Sequence, residues 1–149
     1  MPKASVKRLI ECNKEQLIDL VLDIESYPLF IPYCLNSKIY EKKEKDDRIL
    51  IIADLTIGKG PFNATYKSDV KYYKSTDTIN VTNIEGPLKH LDNKWTFLEK
   101  DNCTEIFFDI DFEIENKFLN IVMSKSFQYG LDKIADSFQN RAKDLFKGK

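Results

Sequence analysis

Residues 104–114, TEIFFDIDFEI, alternate with period two: Ile106, Phe108, Ile110, Phe112 and Ile114 fall on one side, and Glu105, Phe107, Asp109, Asp111 and Glu113 on the other. Successive side chains of a strand point to opposite faces, so this stretch reads as a strand with one buried and one wet face. Such a strand belongs to an antiparallel sheet, because parallel strands are covered on both sides and read as continuous apolar runs.

The same period recurs upstream. LDNKWTF (91–97) aligns Leu91, Asn93, Trp95 and Phe97, and FNATYKSDVKYY (62–73) aligns Phe62, Ala64, Tyr66, Ser68, Val70 and Tyr72. RILIIADLTI (48–57) places Ile49, Ile51, Ala53, Leu55 and Ile57 together. GKGP and EGP punctuate these runs as turns. ASVKRLIE (4–11) reads as a first strand with Val6 and Ile10 on one face.

Two helical patterns bracket the sheet. Asn13 is placed as an N-cap with Gln16 three residues on, the spacing of a capping box, before a stripe of Leu17, Val21 and Ile24. Pro28 disfavours helix at Tyr27 and is expected to open a second short helical turn as its first residue. In the last third, Phe127, Leu131, Ile134, Phe138, Ala142 and Leu145 recur at helical spacing, with Lys133, Asp136, Asn140 and Lys143 outside and an extension back to about Phe118. The expectation is a single α+β domain over residues 1–149: one strand, two short helices, about six antiparallel strands and a long helix on which the sheet is wrapped. Patterning leaves open whether sheet and helix close completely or enclose a cavity.

Composition narrows the function. The 149 residues carry 23 basic and 24 acidic side chains, a net charge of −1, which argues against non-specific binding to duplex DNA. Cys12, Cys34 and Cys103 make no C-x-x-C spacing, so a reducing compartment is expected over a disulfide framework. The N-terminal residues show neither a signal-peptide core nor transit character, and a cytoplasmic protein is expected. With one histidine, His90, and scattered cysteines, no metal site is expected. No Ser/His/Asp or Cys/His arrangement can be assembled, so catalysis is not expected.

YPLFIPYC (27–34) is unusually apolar and stiff for a connection between helix and sheet. It resembles the Y-P-x-F-x-P-x-C signature of the coenzyme Q-binding START-like family, within the polyketide cyclase/dehydrase superfamily, which includes bacterial ribosome association toxins. GPFNATYKSDV (60–70) is similar to that family's G-x-F-x-x-x-Y-x-S-x-V strand, and EGPLKHLDNKWTF (85–97) to its G-P-F-K-x-L-x-N-x-W-x-F segment. Leu88 stands where Phe is usual and Tyr33 where Trp is frequent. The likeness runs from residue 2 to about 145.

The resemblance implies a helix-grip fold and non-catalytic binding of a polyprenylated quinone such as ubiquinone, carried as ligand with no cofactor required. It also implies peripheral contact with the inner membrane. For the toxin relatives it implies the large ribosomal subunit as partner, with a small antitoxin; cyclase-type catalysis ranks below both. The apolar cavity and its mouth are expected at Tyr27, Phe30, Pro32, Tyr33, Phe62, Tyr66, Asn93, Trp95, Phe97, Phe108, Phe112, Phe127 and Leu131. Asn93, a polar residue in an apolar row, would bond either a quinone oxygen or a neighbouring backbone group or the Tyr66 hydroxyl. The other reading of the same aromatic residues is a solid core with YPLFIPYC as its plug. The basic C-terminal helix would face anionic headgroups or ribosomal RNA, or else be a plain solvated face, with the acidic strands paired to Lys7 and Lys94.

Overall fold

The structure is a computed structural model that describes residues 3–31, 34–59, 62–85, 88–115 and 127–146. Strand β1 (Lys3–Ile10) leads into helix α1 (Lys14–Leu22) and a 3-10 helix (Ile24–Leu29). Six strands follow: β2 (Cys34–Lys45), β3 (Arg48–Lys59), β4 (Phe62–Tyr73), β5 (Thr78–Glu85), β6 (Leu88–Lys100) and β7 (Cys103–Ile114). Helix α2 (Phe127–Phe146) comes last. All neighbouring strands are antiparallel, in the order β1-β7-β6-β5-β4-β3-β2.

Local chemistry explains the element ends. The Asn13 side chain accepts from Gln16 N at 2.8 Å while the Gln16 side chain accepts from Asn13 N at 3.2 Å, so the capping box satisfies two helix-end donors. Asn13→Ala is therefore expected to cost about 1 kcal/mol, read as a small fall in the denaturation midpoint. The β6–β7 hairpin turns through Asp101 and Asn102, both left-handed at φ 39° and 70°, the conformation that a tight two-residue hairpin demands and that Asp and Asn tolerate. Register shifts interrupt the β2–β3, β4–β5 and β6–β7 ladders, and such bulges bend a sheet.

The curved sheet and α2 share one core. From α2 it takes Leu131, Ala135, Phe138 and Ala142, all buried, and from the sheet Val6, Ile10, Ile51, Ala53, Val70, Ile79, Trp95, Phe97, Ile106 and Phe108. Helix α1 adds Leu17, Ile18, Leu20, Val21 and Leu22. Arg8 of β1 pairs with Asp136 of α2, and Gln139 donates to the Leu9 carbonyl at 3.4 Å, which pins the helix along the β1 edge.

Three expectations are corrected. Helix α1 ends at Leu22, so Ile24 opens the 3-10 helix, though it stays buried. Pro28 lies inside that helix, not at its first position, because the break falls at Asp23, whose ψ of 66° leaves the α region. Leu145 is 39% exposed and Phe146 packs on the core in its place; the helical period favours the residue four after Ala142 over the one three after. Lys100 joins Lys7 on Glu105, at 3.1 and 3.6 Å, and Lys94 stands across from Asp109 in the β6–β7 ladder. Ile57, at the end of the inward row of β3, is 37% exposed. The extension of α2 toward Phe118 lies outside the described residues.

Candidate ligand-binding site

The interior is organised around Phe138. Its ring meets Tyr27, Phe30 and Trp95 at centroid distances of 5.6, 5.3 and 5.1 Å, all near edge-to-face at 89°, 83° and 77°. Trp95 also meets Phe108 at 4.3 Å and stacks on Phe97 at 6.2 Å. Aromatic pairs favour these arrangements over face-to-face contact. Around Phe138 the space between sheet and helix is thus filled by protein.

Burial loosens along the inward face of β3. Ile51 and Ala53 are fully covered, Leu55 is half-buried and Ile57 is exposed. Leu55 stands opposite Tyr66 across the β3–β4 ladder. Val81, Ile110 and Ile134 are likewise half-buried and packed on the core. Leu55 and Ile57 thus form an apolar margin at the Tyr66 end of the β3–β4 ladder, whereas Val81 and Ile110 lie in the cross-strand row of Ile51, Val70 and Asn93, four residues along.

The polar groups of the interior differ in what they bond. Tyr27 donates its hydroxyl to the Val21 carbonyl. Asn93 Nδ2 donates to the Asp109 carbonyl at 2.9 Å, and its Oδ1 accepts from Trp95 Nε1 at 3.1 Å. Of the alternatives for Asn93, the neighbouring backbone is the one observed, with the indole added. Tyr66 has no hydrogen-bond partner among the described residues. Burial, with the Cys34 thiol nearby, raises the pKa of its phenol, which stays a donor through the neutral range. Burial raises the Tyr27 phenol and the Cys34 thiol in the same way.

The expected site residues are therefore partly brought together. Tyr27, Phe30, Trp95, Phe97, Phe108 and Leu131 belong to one packed cluster, and Asn93 and Phe112 are buried on the same face of the sheet. Tyr66 joins Tyr27 through their electrostatic interaction and Cys34. Pro32 and Tyr33 lie outside the described residues, as do the side chains of Phe62 and Phe127. Leu55, half-buried opposite Tyr66, is not among the expected site residues, although period two already put it on the inward face. His90 lies 3.6 Å from Asp111, and Asp54 accepts from the exposed Tyr40 at 2.6 Å; both belong to the outer face.

A curved antiparallel sheet gripping a long C-terminal helix defines the helix-grip class. Residues 10–139 match the family described as polyketide cyclase / dehydrase and lipid transport, and the chain belongs to that family. The ribosome association toxin RatA of Rickettsia prowazekii is 28% identical over 94% of this chain and 95% of its own. A mitochondrial coenzyme Q-binding protein of Dictyostelium discoideum is 32% identical over 88% of this chain, which spans 64% of that relative. Among solved structures, the Zhui aromatase/cyclase from Streptomyces superposes with a TM-score of 0.81 at 12% identity, covering 98% of this chain and 96% of that one; this likeness concerns fold alone. Relatives named for quinone binding and for ribosome association are thus similar to this chain in sequence, and a cyclase is similar to it in fold.

Proposed function

We propose that the chain binds a prenylated quinone non-covalently and shields its tail from water, without catalysing a reaction on it. The observation that carries this reading is the Tyr66 hydroxyl: a raised-pKa phenol with no partner among the described residues, set beside an apolar margin. A quinone carbonyl accepts from a neutral phenol and needs no charged partner. The first isoprene units would lie against Leu55 and Ile57, gaining about 25 cal/mol per Å² of apolar surface removed from water. A tail running the whole length of α2 would have to displace Phe138, so the bound segment enters from the Leu55 end. The family's lipid-transport description and the relative named for coenzyme Q binding support the same ligand class.

Tyr66→Phe is expected to lower the quinone retained through purification by about three- to tenfold, the worth of one hydrogen bond of about 1 kcal/mol. Mass spectrometry of extracted lipid per mole of protein reads the effect. Unchanged retention in the folded variant removes Tyr66 from the headgroup site.

A second reading is favoured by one observation: RatA is matched over nearly its whole length. On that reading the chain associates with the large ribosomal subunit, with a small antitoxin as a further partner. Salt-sensitive co-sedimentation with ribosomal subunits by lipid-free protein is its test.

A further inference from the structure

The geometry points to Arg141, on the helix face that carries Leu145, as a docking point for an anionic membrane surface next to the Tyr27–Phe30 end of the interior. Arg141 lies on α2, one turn beyond Phe138. Its guanidinium carbon sits 5.3 Å from the centroid of the Phe30 ring. Its Nε is buried without a hydrogen-bond partner, and the side chain makes no ion pair among the described residues. By contrast, the other arginines are paired: Arg8 with Asp132 and Asp136, Arg48 with Asp47.

A guanidinium held over an aromatic ring is fixed in place by the ring while the N–H groups at its edge remain able to donate. The group that satisfies five donors in a planar fork is an oxyanion, and phosphate matches that fork. The surroundings select the source of the phosphate. Leu29, adjacent to Phe30, is 73% exposed, and Leu145, one helical turn from Arg141, is 39% exposed. A cation with one exposed leucine a helical turn away, and another next in sequence to the ring it lies over, suits a lipid surface, where the charge meets headgroups and leucines enter the acyl boundary. A nucleic-acid backbone offers the leucines nothing comparable. The contact would place the Phe30 side of the interior against the bilayer. It rests on the carrier reading for its purpose but not for its measurement.

The test is co-sedimentation of lipid-stripped protein with vesicles of phosphatidylcholine alone, and of phosphatidylcholine mixed with phosphatidylglycerol. Binding is expected to the anionic vesicles, to weaken at raised salt, and to fall about fivefold in Arg141→Gln, the effect of one interfacial cation. Arg141→Lys should fall between the two, and Leu29→Ser, too exposed to disturb folding, should weaken binding further. Tyr66→Phe should bind vesicles like the parent protein, so loss of quinone retention and loss of docking are separately visible. Equal binding to neutral and anionic vesicles, no binding, or parent-like binding by Arg141→Gln overturns the proposal. So does an Arg141→Gln effect confined to ribosomal RNA.

Discussion

Phe138→Ala is expected to destabilise the domain by about 3–5 kcal/mol and to lower its melting temperature by on the order of 10 °C. Phe138 is 1% exposed and its ring touches Tyr27, Phe30 and Trp95. Removal forfeits the transfer energy of the ring, leaves a cavity, and breaks three aromatic pairs worth about 0.5–1.5 kcal/mol each. The three partners come from the 3-10 helix, the turn after it and β6, so they cannot collapse together into the vacated space. Leu145→Ala on the same helix is the control: Leu145 is 39% exposed, and its loss should stay near 0.5 kcal/mol. Chemical denaturation reads both. A Phe138→Ala loss below about 1 kcal/mol would contradict the packing described around this ring.

Leu55→Trp is expected to abolish most quinone binding while leaving the fold intact. Leu55 faces inward, half-buried, opposite Tyr66. An indole there occupies the space assigned to the first isoprene units, and overlap of even part of a ring costs more than the burial of one unit supplies. Quinone retained after purification should fall at least about tenfold, a change of about 1.4 kcal/mol. The melting temperature should change little, because a half-exposed strand position accepts an aromatic side chain. Leu98→Trp, on the outer face and 49% exposed, should retain the parent's ligand. Parent-like retention by Leu55→Trp would place the tail elsewhere.

Much of the fold was legible because single-face burial imprints a period on each strand. In β7, Ile106, Phe108 and Phe112 are buried and Asp109 is exposed, as the alternation requires. Glu105 is the exception on that strand. It stands between Leu9 and Leu98 in the ladders and meets Lys7 and Lys100, so neighbours cover a residue on the wet face. The Asn13 capping box was readable because it is made within four residues. The break at Asp23 was not, since α and 3-10 turns share nearly the same apolar spacing over six residues.

The candidate site was less legible for a different reason. Asn93 could be placed on the inward face, but not the indole two residues on that takes its carbonyl oxygen. Such a bond depends on rotamers, which alternation does not encode. Arg141 reads as an ordinary charged helix residue until Phe30, distant in sequence, is found under its guanidinium. Phe108, open in the sequence to a place in the cavity or in a solid core, has its ring centroid 4.3 Å from that of Trp95 in the core.

The central claim is that the loosely covered end of the inward face admits a prenyl chain. Its most direct test is organic extraction and mass spectrometry of protein purified without detergent from its own host. A prenylated quinone near one equivalent per folded chain is expected, lost in Leu55→Trp and reduced in Tyr66→Phe. Trace lipid from fully folded protein, together with salt-sensitive association with ribosomal subunits, would contradict it.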